Sequence, residues 1–176
     1  MEQDPDFEEN ENPDEGVPPD GIPDFGELPE DELSEERDLE EKEVTVVGVY
    51  EHQDATTAQP LAFVLLRDAR GRSVIIWIGR PEAFSISVAL EGASADRPMT
   101  HDLMKNIISR LGGTIERIVI DDLWNETYYA KVHISMNGNT MEIDSRPSDA
   151  IALGLRAKAP IFMAEAVIEQ AAMYEE

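Results

Sequence analysis

"PLAFVLLRDARGRSVIIWIG", residues 60 to 79, sets two aliphatic, β-branched runs on either side of the polar turn DARG. Such runs favour extended backbone, and a short Gly-containing connection between them predicts a β-hairpin. Both runs are apolar at consecutive positions, which predicts strands covered on each face, with Trp77 in the core. Upstream, "VTVVGVYE" (residues 44–51) adds a third strand of the same character. Downstream, Pro81 stands where a helix can begin, because its missing N–H costs nothing in the first turn. "PEAFSISVALEG" then reads as a helix that ends at Gly92.

Further along, "THDLMKNIISRLGG" (residues 100–113) places Leu103, Met104, Ile107, Ile108 and Leu111 in one helical stripe. Thr100 is its expected N-cap and Gly112 its stop. "TIERIVIDDL" and "TYYAKVHISMN" are strands joined through WNE. In the second, Tyr128, Ala130, Val132, Ile134 and Met136 alternate with Tyr129, Lys131, His133 and Ser135. That alternation predicts a half-buried strand with His133 on its polar side. "NGN" turns the chain into "TMEID"; a helix from Pro147, a short strand "IFM" and a last helix follow. The order β-β-β-α-α-β-β-β-α-β-α predicts an α+β domain of α/β type, a mixed sheet with β-hairpins packed by about four helices.

Charge divides the chain at residue 42. Residues 1–42 hold 19 Asp or Glu and 2 Lys or Arg, and carry −17 of the net charge of −24. They also hold six of the eleven prolines and few large apolar residues, so they are expected to form a disordered acidic tail before a domain at 43–176. The tail reads as a solubilising linker, or as a mimic of nucleic-acid charge that covers a positive site. The domain's own −7 is not the footprint of a strong duplex binder, which neutralises phosphates with Lys and Arg. With no cysteine, no basic and apolar leader in "MEQDPDFEEN", and no apolar stretch of membrane-spanning length, a cytoplasmic protein without membrane contact is expected.

Phosphate-loop, dinucleotide, zinc-protease and nucleophile-elbow motifs are absent. What stands out is a repeated pattern, "ADRPMTHDLMKN" (95–106) and "IDSRPSDAIALG" (143–154), each with Arg-Pro followed by a hydroxyl and an Asp. Proline fixes the first helical turn in both, where free N–H groups and the helix dipole favour anions. One reading is architectural: Asp102 and Asp149 complement the dipole while Arg97 and Arg146 pair with nearby carboxylates. The other is chemical. Arg97 and Arg146 carry the planar fork that grips phosphate, with Thr100 and Ser148 beside them. Asp102, Asp144 and Asp149 could hold Mg²⁺ or Mn²⁺ through oxygen. Glu82 could supply a further acid, and His101 a general base or acid. Trp77, Trp124, Tyr128 and Tyr129 are the aromatics able to stack on unpaired bases, Trp124 being the better surface candidate.

At these residues the chain resembles the bifunctional nuclease domain family. The segments that carry the resemblance, in order over about residues 43–168, include WIGxxEA, RPxTHDL and SRPSDAIALxxR. The resemblance implies a compact domain that self-associates, so a homo-oligomer, and a nuclease acting on DNA and RNA. It maps onto Glu82, Arg97, Thr100, His101, Asp102, Asp144, Arg146, Ser148 and Asp149. Plant members look like this domain followed by a UVR-type helical segment, whereas this sequence ends in "AAMYEE", so partners of that segment are not carried over. Two functions are therefore expected to compete: a metal-assisted phosphodiesterase for single-stranded or flexible DNA and RNA, and a noncatalytic module whose Arg-Asp pocket binds an anion or a protein.

Overall fold

The computed structural model describes residues 40–53, 60–93 and 95–173. The acidic tail expected over 1–42 lies outside these residues up to position 39, while Glu41 and Lys42 already belong to the first strand. The elements follow the expected order. They are β1 (Glu41–His52), β2 (Leu61–Asp68), β3 (Ser73–Ile78), α1 (Arg80–Leu90), α2 (Thr100–Arg110), β4 (Gly113–Trp124), β5 (Thr127–Met136), β6 (Asn139–Ser145), α3 (Pro147–Ala157), β7 (Ile161–Ala164) and α4 (Glu165–Ala171).

All seven strands form one mixed sheet in the order β3-β2-β1-β7-β4-β5-β6, with β4 and β7 parallel and every other pair antiparallel. The hairpins owe their tightness to residues that tolerate positive φ. Between β4 and β5 the loop is Asn125 (φ 48°) and Glu126 (φ 61°), and between β5 and β6 it is Asn137 (φ 54°) and Gly138 (φ 81°). Two successive positive values make the turn type whose twist matches the flanking strands. The β2–β3 loop instead closes on Gly71 (φ 83°), with the Asp68 N–H bonded to the Arg72 carbonyl at 3.1 Å.

One face of the sheet carries the core. Val64 and Leu66 of β2, Ile118 and Ile120 of β4 and Met163 of β7 meet Ile86 of α1, Ile151 of α3 and Ile168 of α4, all essentially inaccessible. Helix α3 lies closest: a Cβ on Gly154 would sit 2.6 Å from Cγ1 of Ile118. That approach explains a glycine in mid-helix despite its cost of about 1 kcal/mol relative to Ala.

Three expectations about burial change. The hairpin strands are not covered on both sides, because the helices take only one face, and Trp77 stands 55% exposed on the other. His133, expected exposed on the polar side of its strand, is buried at 5%, opposite Arg117 of β4 and with Glu142 of β6 3.7 Å from its Nδ1. Burial, reinforced by Arg117, lowers its pKa and favours the neutral ring. Helix α2 inverts its stripe, with Leu103, Met104, Ile107 and Leu111 exposed, Ile108 partly covered, and His101 its one fully buried residue. Thr100 proves to be the first helical residue, preceded by Met99 at the cap.

Candidate functional site

Helices α1, α2 and α3 bring the two Arg-Pro segments toward each other, and their side chains interlock. Ser85 on α1 sits 2.8 Å (Oγ) from Nδ1 of His101 on α2. The other ring nitrogen of His101, Nε2, lies 3.1 Å from Oδ1 of Asp149 in the first turn of α3. Asp149 accepts a second bond through Oδ2 from Nε of Arg146 at 2.8 Å, and Arg146 reaches Oε1 of Glu82 at 3.2 Å. The result is one chain of polar groups, Ser85–His101–Asp149–Arg146–Glu82, drawn from three elements.

Electrostatics orient this chain. Burial works to raise the Asp149 carboxyl, but the bonds from Arg146 and His101 outweigh it and hold the group below its ordinary value. An ionised carboxylate only accepts, so Nε2 of His101 must carry the proton that faces it. In the neutral ring Nδ1 is then the acceptor, and the Ser85 hydroxyl donates to it. Ser85 and His101 are buried, at 4% and 9%, whereas the Arg146 side chain is 67% exposed.

The chain opens on a hollow of about 760 Å³ between α1, α2 and the β6–α3 junction. Glu82, Ser85, Thr100, His101, Asp144, Arg146 and Asp149 all line it, so six of the nine residues singled out in the sequence converge there with one that was not. An adjoining recess of about 480 Å³ shares Glu82 and Arg146 with the hollow and is bordered by Trp77, Tyr128 and Ser148. Ser148 thus faces the recess, and Arg97 is exposed without lining either opening.

Asp102 is not in the hollow. Its Oδ1 accepts from Nε of Arg156 at 2.7 Å and its Oδ2 from the Met99 N–H at 2.9 Å. Burial pushes its carboxyl up, but these two bonds bring it below the ordinary value. Arg156 also donates to the carbonyls of Ser85 (3.1 Å) and Ala152 (2.9 Å), so it ties α1, α2 and α3 together. The Asp102, Asp144 and Asp149 trio expected to hold a cation is therefore not assembled. Among the described residues no group of three or more His, Asp or Glu is placed to hold a metal.

Two residues of this region escape the sequence patterns. Ser85 is a hydroxyl on the buried side of α1 beside Ala83 and Ile86, and that polar interruption of an apolar face was its only local signal. Arg156 ends the SRPSDAIALxxR segment, but that Asp102 is its partner follows only from the packing of α2 on α3.

A helix-backed mixed sheet whose three clustered helix starts frame a Ser-His-Asp-Arg hollow defines the class. Residues 64–176 match the bifunctional nuclease domain, and the chain belongs to that family. It is 39% identical over 132 residues to an uncharacterized protein of Mycobacterium tuberculosis, covering 74% of this chain and 76% of that one. It is 28% identical over 103 residues to Bifunctional nuclease 1 of Oryza sativa subsp. indica, and 26% over 105 residues to Bifunctional nuclease 1 of Arabidopsis thaliana. These alignments span 56% and 58% of this chain but only 31% and 32% of the plant proteins.

Proposed function

We propose that the hollow hydrolyses phosphodiester bonds in single-stranded or flexible DNA and RNA. The observation that carries this reading is the polar chain from Ser85 through His101 to Asp149, open to solvent beside the exposed Arg146. Arg146 binds a non-bridging phosphate oxygen, with Thr100 on the same wall. A water placed against Ser85 attacks phosphorus; its proton passes to Ser85 Oγ while the Ser85 proton moves to Nδ1 of His101. Asp149 stabilises the imidazolium so formed, as a carboxylate does when it orients a catalytic histidine. The P–O bond to the leaving oxygen breaks on the side of phosphorus away from the water; that oxygen takes a proton from solvent, and His101 returns its own to solvent through Ser85. Ser85 and His101 carry the proton transfers; among the described residues no group of three His, Asp or Glu side chains is placed to hold a metal. Were Mg²⁺ or Mn²⁺ to bind here, Asp144 of this wall would help hold it, and the ion would supply neutralisation of phosphate charge.

The test is hydrolysis of single-stranded DNA and RNA by the full-length protein with Mg²⁺, Mn²⁺ or EDTA, beside Arg146→Ala. Cleavage by the wild type, reduced at least tenfold in the variant as expected on loss of a charge-assisted contact, supports the reading. A wild type that cuts nothing above a mock preparation rejects it in favour of the noncatalytic module whose Arg-Asp pocket binds an anion or a protein. We place the activity in the cytoplasm, on the absence of cysteine. Among the described residues no helix is long and apolar enough to cross a membrane.

Self-association is part of the same proposal. Leu103, Met104, Ile107 and Leu111 of α2, with Phe84 of α1 at 60% exposure, leave an apolar surface of the kind a second copy covers. Ile107→Glu with Leu111→Glu should convert an oligomer to a monomer by light scattering at micromolar concentration. A wild type that is already monomeric overturns it.

A further inference from the structure

The face of the sheet that the helices leave open carries a row of aromatic rings. Tyr50 of β1 stands opposite Phe63 of β2, and Phe63 opposite Trp77 of β3, so the three share one line across adjacent strands. The Tyr50 and Phe63 rings stack at 5.5 Å and 27°, Phe63 and Trp77 meet edge to face at 5.2 Å, and His52 adds an edge contact to Trp77 at 6.2 Å. Tyr50 lies down over Gly48, where an added Cβ would come within 3.1 Å of its hydroxyl and 3.2 Å of ring carbons. Gly48 thereby lets the ring lie along the sheet. Cross-strand aromatic pairs stabilise any sheet, but that role does not call for leaving Trp77 55% and Tyr50 44% exposed.

Trp77 also borders the recess that shares Glu82 and Arg146 with the hollow. The aromatic row is thus continuous with the groups proposed to hold the scissile phosphate. We infer that Tyr50, Phe63 and Trp77 form a stacking track for the unpaired bases of a single strand, leading into the Arg146 hollow. The inference rests on the proposed phosphodiesterase reading and supplies its substrate selectivity. Every base has a π-face, so such a track accepts DNA and RNA without sequence preference, and it excludes duplex because paired bases are already stacked. Among the described residues Arg146 is the one cation lining both openings, so binding should depend only weakly on salt, with a log–log slope near −0.7, as for about one phosphate neutralised.

The experiment uses the full-length protein carrying Trp124→Phe, which leaves Trp77 as the sole tryptophan. Short oligo-dT should quench Trp77 fluorescence. Read by the anisotropy of end-labelled oligo-dT, Tyr50→Ala and Trp77→Ala should each raise Kd about tenfold, and Trp77→Phe should retain most of the affinity, which separates stacking from misfolding. The kcat/KM preference for oligo-dT over an abasic deoxyribose-phosphate oligomer of the same length, which has no ring to stack, should fall by the same factor. If neither ester is cut yet oligo-dT still binds through these rings, the track stands and the phosphodiesterase reading fails. If oligo-dT is bound and cut equally by the alanine variants, the track is overturned. It is overturned as well if those variants change only the oligomeric mass, since the face would then join copies of the chain.

Discussion

Replacing His101 by Gln should lower kcat for oligonucleotide hydrolysis by about 10²- to 10⁴-fold, the usual worth of a general base. Connectivity is the reason. Nε2 is committed to Asp149 and Nδ1 to Ser85, so the only proton His101 can receive arrives through the Ser85 hydroxyl. Ser85→Ala should therefore produce a loss of similar size, and the double variant should lose little more than either alone, because the two act as one relay. Additive losses in the double variant would mean that Ser85 and His101 work separately. Unchanged rates with unchanged melting would remove His101 from the chemistry altogether.

The second large effect concerns stability. Arg72→Ala should destabilise the domain by about 3 kcal/mol, within the range for breaking a buried ion pair. Arg72 is 9% exposed and donates Nε to Oδ2 of Asp68 at 2.8 Å, while its two terminal nitrogens reach the Glu165 carboxylate at 2.8 Å each. The clamp fastens the β2–β3 turn to the start of α4. Removing it strands Asp68, whose side chain is only 3% exposed and cannot turn to water. Arg156→Ala should cost roughly half as much, because Asp102 is 35% exposed on its side chain and can rehydrate. Equal losses in denaturant titrations at neutral pH would show that exposure of the remaining acid does not govern the cost.

The pH dependence has a definite sign. Burial raises the Asp68 carboxyl, but its bonds from Arg72 and Arg70 bring it below the ordinary value; the Arg72 bonds lower Glu165 as well. A carboxyl depressed in the native state releases its proton more readily there than in the unfolded chain. Its stabilisation is complete above the unfolded value of about 4 and disappears as pH falls through the native value. The stability gap between wild type and Arg72→Ala should hold steady from pH 5 to 8 on this account and narrow below about pH 4.

Elements and connections were legible in the sequence because they depend on neighbours a few residues away. Asn137 with Gly138, Gly71 in its turn, Pro81 and Pro147 at helix starts and Gly112 at a helix end all occupy the positions their backbone chemistry predicts. The order of eleven elements follows from those signals. Two Arg-Pro segments of the same pattern pointed to one hollow, but of their arginines only Arg146 lines it, and of their prolines only Pro147 lies in a first helical turn, Pro98 preceding the Met99 cap of α2. Their bonding was not foreshadowed. Which of two Asp residues faces His101, and which faces Arg156, is decided by the crossing of α2 over α3.

Periodicity, for its part, identifies an amphipathic face but not what that face meets. Helix α2 turns His101 inward and its Leu, Met and Ile stripe outward, although the stripe is the stronger pattern. Trp77 and Phe63 sit in strands that read as doubly buried, yet only one face of the sheet received helices. The amino-acid sequence by itself determined which strands, turns and helices form and in what order, since local backbone sterics and hydrogen bonding suffice for that. Only the tertiary structure decided which side chains are covered and which charges meet, because those depend on elements far apart in the chain arriving at the same place.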